Sequence, residues 1–174
     1  MGTTLKIVIV TDKFKGSLSS IEAANSIASG IKIANISNHY FSDIKFNIIP
    51  LADGGEGFLS VAARSGFFKR KEIDVVDPLG RSVKSSFLIS EEVPADEQGR
   101  GRGPQGASPR HPFAVAEMSL SSGLSLLSPD EYDPMITTSY GFGQTIRAAI
   151  KAGAREIIAG IGGSATNDGG TGML

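Results

Sequence analysis

Three polar, glycine-bearing junctions hold the residue types that could do chemistry. They are Asp12-Lys13-Phe14-Lys15-Gly16-Ser17, Asp53-Gly54-Gly55-Glu56-Gly57, and the run from Gly162 to Gly170 containing Gly163, Ser164, Thr166, Asn167 and Asp168. Glycine lets a ligand approach the backbone closely, and successive N–H groups turned into such a loop form a nest for anions such as phosphate. A lysine such as Lys15 can neutralise phosphate charge. Carboxylates such as Asp53, Glu56 and Asp168 can hold a divalent cation, often through water, or accept a hydroxyl proton. Together these are parts for phosphoryl transfer. Asp and Gly also populate turns for conformational reasons alone, so the reading rests on the coincidence of three junctions and not on any one.

Other chemistries are excluded by strict reading of their motifs. Lys15-Gly16-Ser17 has its lysine before the glycine, so there is no P-loop. Gly162-Gly163-Ser164-Ala165-Thr166 ends in Thr where a nucleophile elbow needs Gly. His39 and His111 have no second ligand at metal spacing, and the absence of cysteine removes thiolate zinc sites, disulfides and a cysteine nucleophile. Gly160, Gly162 and Ala165 do fit a variant dinucleotide fingerprint after an expected strand, which keeps that reading open, because its acidic ribose partner is due about 20 residues further on, past Leu174. A formal net charge of -1 gives no reason to expect a nucleic acid or an anionic membrane as partner. With no signal-like segment at Met1 to Lys6 and no membrane-length apolar run, the expected location is the cytoplasm.

Each junction follows an expected strand. Leu5 to Thr11 is a β-branched apolar run continuous enough to suggest burial on both faces, hence a parallel sheet. Ser19-Ser20-Ile21-Glu22 offers a capping box, and Ile21, Ala24, Ile27, Ala28 and Ile31 then predict a helix over about 20–34. Further strands are expected at 45–51, 71–76, 82–89, 113–118 and 156–161, with helices over 57–64 and 141–152 and a turn at Asp77-Pro78-Leu79-Gly80. The fold class is therefore α/β: an open, mostly parallel sheet segment at 1–66 and a second, smaller α/β region with antiparallel strands at 67–174. The first and last strands are expected to share the parallel sheet. Residues 91–112, rich in Gly, Pro and Arg and without periodicity, are expected to be a disordered insert. The chain stops where a helix covering the last strand is due, which predicts truncation at the C-terminus.

These segments resemble the glycerate kinase family that includes the bacterial glycerate 2-kinases. The resemblance is carried by Lys6 to Leu18, Pro50 to Gly57 and Gly160 to Gly170, with Ala116-Glu117-Met118, Ser122-Gly123-Leu124 and Ser139-Tyr140-Gly141-Phe142-Gly143 similar as well. Thr11 and Lys13 depart from the proline and serine usual in the first junction, and the family continues into a further C-terminal half. The resemblance implies ATP-dependent, Mg²⁺-assisted phosphorylation of D-glycerate in a cleft between two unlike α/β domains. On residue chemistry joined to that resemblance, Asp168 is expected to act as the base or orienting group on the glycerate hydroxyl and Lys15 to stabilise a phosphate or the substrate carboxylate. Asp53 and Glu56 are expected to hold Mg²⁺ or substrate hydroxyls. Asp12, Ser17, Gly54, Gly55, Gly162, Gly163, Ser164, Thr166 and Asn167 complete the expected binding set. The alternative is a non-catalytic nucleotide- or metabolite-binding fragment.

Overall fold

The computed structural model describes residues 4–38, 40–90 and 112–174. The insert expected at 91–112 lies almost wholly outside the described residues. The chain divides into two compact units, Met1–Asp53 and Gly54–Leu174. The helix expected at 57–64 lies in the second unit, at Phe58–Ala63. Within this chain the second unit is also the larger one.

The first unit is a strand-helix-strand. Strands β1 (Thr4–Thr11) and β2 (Asp43–Pro50) pair in parallel, with Thr11 opposite Pro50. Helix α1 (Ser20–Asn38) starts as the sequence indicates: the Ser19 N–H donates to Glu22 Oε2 at 2.8 Å and the Glu22 N–H donates back to Ser19 Oγ at 3.3 Å. Its small residues Ala24 and Ala28 allow close approach to Ile7, Ile9, Phe46 and Ile48 on one sheet face. The other face bears Val8 and Val10, 58% and 51% exposed. Burial on both faces, expected from the unbroken apolar run, is thus not found. The run satisfies strand propensity whether or not a second layer covers it, and α1 covers only one side.

The second unit is built on a mixed four-stranded sheet in the order β3-β4-β5-β6. Its strands are β3 (Phe68–Val76), β4 (Ser82–Ser90), β5 (Phe113–Glu117) and β6 (Glu156–Gly160). The β3–β4 hairpin turns at Asp77–Gly80, where Gly80 has φ 84° and the buried Asp77 carboxylate accepts the N–H groups of Leu79 and Arg81 at 2.8 and 2.9 Å. The last strand, β6, pairs in parallel with β5. It does not join β1, because β5 is a neighbour within its own unit, so the expected shared parallel sheet is corrected to two separate sheets.

Alternation along the strands sends side chains to both faces, and helices cover each. Phe87, Ile89, Ala114 and Ala116 pack with Phe142 and Ala149 of α4 (Tyr140–Lys151). Leu88 and Val115 on the other face pack against Leu59 of α2 (Phe58–Ala63) and Leu120 of the short α3 (Ser119–Ser122). The start of α4 lies hard against the end of β3: a Cβ on Gly141 would stand 1.9 Å from the Val76 carbonyl oxygen, so only glycine fits there.

Candidate functional site

Parallel strands bring their following loops to the same sheet edge, and in open α/β sheets that edge, beyond the carboxyl ends, is where ligands bind. In the first unit, the loops after β1 and β2 leave together, tied by the Leu51 N–H donating to the Thr11 carbonyl at 2.8 Å. The chain then makes a tight turn in which the Ser17 and Leu18 N–H groups donate to the Phe14 carbonyl at 2.9 and 3.1 Å. Gly16, at φ 74°, lets the chain reverse, and Lys15 stands exposed beside it. Asp12, Ser17 and Asp53 are exposed in the same pair of loops. The structure thus groups Asp12, Lys15, Ser17 and Asp53 within the first unit.

In the second unit, register sets Glu117 at the end of β5 opposite Gly160 at the end of β6. Three segments meet at that edge. The Gly162 N–H donates to the Gly54 carbonyl at 3.0 Å, and a Cβ on Gly162 would stand 2.8 Å from both Cα and N of Gly55. Backbone therefore packs on backbone, which requires glycine. On the other side, the Leu124 N–H donates to Gly163 at 2.9 Å and the Ala165 N–H to Ser122 at 2.9 Å. A Cβ on Gly163 would lie 3.7 Å from Glu56 Cγ, which puts the Glu56 residue beside the glycine loop. Gly54, Gly55, Glu56, Gly162, Gly163, Ser164 and Thr166 are thus brought together.

Within that loop the N–H groups have divided uses. Those of Gly162, Ala165 and Thr166 are occupied by Gly54, Ser122 and Ser164 Oγ. Those of Gly163, Ser164 and Asn167 donate to none of the described residues. These N–H groups are available to an anion.

Asp168 occupies the far end of the loop, where its carboxylate gathers four donors. Oδ2 accepts the N–H and the hydroxyl of Ser139, each at 2.8 Å, and the Gly172 N–H at 3.2 Å; Oδ1 accepts the Gly170 N–H at 2.9 Å. Burial pushes its pKa up, but the hydrogen bonds from Ser139, Gly170 and Gly172 outweigh burial and hold it below the usual carboxylate value. The group is therefore ionised at neutral pH and fastens the loop to Ser139, the residue that precedes α4.

Two residues of this constellation were not assigned a role from sequence. Ser139, which holds Asp168, stands 29 positions away from it, a separation that no local spacing rule reaches. Glu117 is 2% exposed and accepts the N–H groups of Gly57 and Leu59 at 3.1 and 2.8 Å, together with the Ser119 hydroxyl. A charged residue closing the apolar run Phe113-Ala114-Val115-Ala116 is the signal that could have marked it.

A sequence model of the glycerate kinase family matches residues 7–174. The glycerate kinase of Haemophilus influenzae is 40% identical over 170 residues, a match covering 98% of this chain and 39% of that relative. The glycerate 2-kinase of Escherichia coli is 40% identical over 172 residues, covering 98% and 38% respectively. A crystal structure of a protein assigned as glycerate kinase 2 in Salmonella typhimurium LT2 matches with a TM-score of 0.65 and 37% identity, over 99% of this chain and 40% of that one. The chain spans about two fifths of the length of these relatives. It belongs to the glycerate kinase family.

Proposed function

We propose that the protein transfers the γ-phosphoryl group of ATP to a hydroxyl of D-glycerate. The observation that carries this reading is the glycine loop of a glycerate kinase family chain, with the N–H groups of Gly163, Ser164 and Asn167 uncommitted and Glu56 beside it. In such a transfer the substrate hydroxyl oxygen forms a bond to phosphorus, the bond to the ADP oxygen breaks, and the hydroxyl proton leaves to a base or to water. Catalysis is mostly positioning and charge stabilisation.

In this reading the uncommitted N–H groups cradle an anionic oxygen. Lys15 neutralises a phosphate or the glycerate carboxylate, with Asp12 and Ser17 in the same loop lining the substrate. Asp168 was expected as base or orienting group; the four donors on its carboxylate favour the orienting role, because a carboxylate so stabilised is a weak base.

Mg²⁺ fits this chemistry. Among the described residues no three His, Asp or Glu side chains cluster as a metal cage, and Mg²⁺ on a nucleotide substrate needs only one or two carboxylates beside the phosphates and water. Asp53 or Glu56 would supply them, and the ion would neutralise charge on the phosphates. No helix among the described residues is long and apolar enough to cross a membrane; the cytoplasm is the proposed site of reaction.

The test is Asp168→Asn in the full-length gene product, assayed with Mg-ATP and D-glycerate. A fall in kcat of at least about a hundredfold with a much smaller change in KM is expected. A variant with near wild-type kcat would remove Asp168 from the reaction. Nucleotide or glycerate binding without turnover in the wild type would favour the non-catalytic reading instead.

A further inference from the structure

Glu117 is a buried carboxylate that the proposed reaction does not use. Among the described residues it has no cationic partner. Burying a charge is costly, and an apolar side chain of similar volume would serve packing alone at least as well. What the carboxylate gains is three donors from two separate segments. The N–H groups of Gly57 and Leu59 come from the stretch that opens α2, and the Ser119 hydroxyl comes from the start of α3.

Those two segments are also two of the supports of the glycine loop, which Thr137 and Ser139 hold from another side through the Ala165 carbonyl and the Asp168 carboxylate. The stretch before Gly57 provides the Gly54 carbonyl that accepts the Gly162 N–H, while the stretch after Ser119 provides the Ser122 carbonyl and the Leu124 N–H that bind Ala165 and Gly163. Glu117 therefore ties one support to the other directly beneath the loop they hold. A charge-assisted tie is shorter and stiffer than a neutral one.

We infer that Glu117 is a positioning residue that fixes the two supports relative to each other, and through them the spacing between Glu56 and the N–H groups of Gly163 and Ser164. The inference rests on the proposed reading of that loop as an anion site. It does not make Glu117 a catalytic residue.

The experiment compares wild type, Glu117→Gln and Ser119→Ala in the whole 174-residue chain. Amide hydrogen exchange is read by NMR, together with a titration with inorganic phosphate followed at the Gly163 and Ser164 amides. Gln keeps the length of the side chain but turns an N–H₂ toward a donor that the carboxylate accepts. The expected result for Glu117→Gln is exchange at Gly57, Leu59 and Gly162 faster by about tenfold or more, as loss of charge-assisted hydrogen bonds implies. Exchange along the β3–β4 ladder should be unchanged, and the phosphate Kd should rise at least about fivefold. Ser119→Ala should move the same amides and the same Kd in the same direction, by less.

Unchanged phosphate affinity overturns the inference, as does exchange that rises uniformly through the unit, which would mark Glu117 as a general stabiliser. If Glu117→Gln does not fold, Ser119→Ala decides: an unaltered Kd refutes. If the wild-type chain shows no response to phosphate, the anion reading of the loop fails, and the exchange pattern alone decides whether Glu117 ties the two supports.

Discussion

Gly162→Ala places a methyl group against backbone that has no way to yield locally. The added Cβ would stand 2.8 Å from Cα and 2.8 Å from N of Gly55, whereas carbon atoms in contact sit about 3.5–4.0 Å apart. The φ of Gly162 is not in the left-handed region, so the residue itself tolerates a side chain and the effect isolates the contact. Forcing a methyl into close-packed surroundings costs about 1–3 kcal/mol. Separating the two loops also weakens the bond from the Gly162 N–H to the Gly54 carbonyl, 3.0 Å in the wild type, which adds about 0.5–1.5 kcal/mol. The sum is about 1.5–4.5 kcal/mol, a drop in Tm of roughly 6–18 °C for a unit of this size. The assay is thermal unfolding by circular dichroism, with Gly30→Ala as the opposing control. Gly30 lies in α1 with nothing within 4 Å of an added Cβ, so alanine there is expected to stabilise by about 0.5–1 kcal/mol. If Gly162→Ala melts within about 2 °C of wild type, the loops do not pack backbone to backbone as described.

Other perturbations separate positioning from packing. The pKa of Asp168 is lowered in the folded state, so its stabilising contribution is complete above the unfolded value and is lost as pH falls through the folded one; a pH series of Tm should show a shallower acid limb for Asp168→Asn. Lys15→Ala in the full-length gene product should lower kcat and raise KM together, with kcat/KM down by about tenfold or more, because a cation on an anionic oxygen acts in ground and transition states alike. Unchanged kinetics and stability would make Lys15 an ordinary solvated loop residue. Leu59→Ala removes a side chain that is 0% exposed and packed on Leu88 and Val115; it should cost about 2–5 kcal/mol, read by urea unfolding, and a smaller loss would mean that α2 does not cover that sheet face.

What the sequence revealed follows the range of the interactions involved. The Ser19–Glu22 box and the Asp77–Gly80 turn depend on residues within a few positions, and both formed as expected. The loops after β1, β2 and β6 were legible because Gly and charged residues interrupt apolar runs. Strand partnership was not: an apolar run such as Ile7-Val8-Ile9-Val10 reads the same whether one face or two are covered, and β6 carries nothing in its own residues that names β5 as its neighbour. Helix α3, four residues long, is too short to show a period. The engagement of Asp168 by Ser139 and of Glu117 by Gly57, Leu59 and Ser119 depends on register across the sheet. Such register becomes readable only once the strands are paired.

Phosphorylation of glycerate is read without intermediary in the product formed. The full-length gene product is incubated with Mg-ATP and D-glycerate and followed by ³¹P NMR. The expected product is a phosphate monoester of glycerate that grows in step with ADP, requires D-glycerate, and is nearly abolished by Asp168→Asn. A folded protein that binds ATP yet forms no phosphoglycerate, or that releases only inorganic phosphate whether or not glycerate is present, would contradict it.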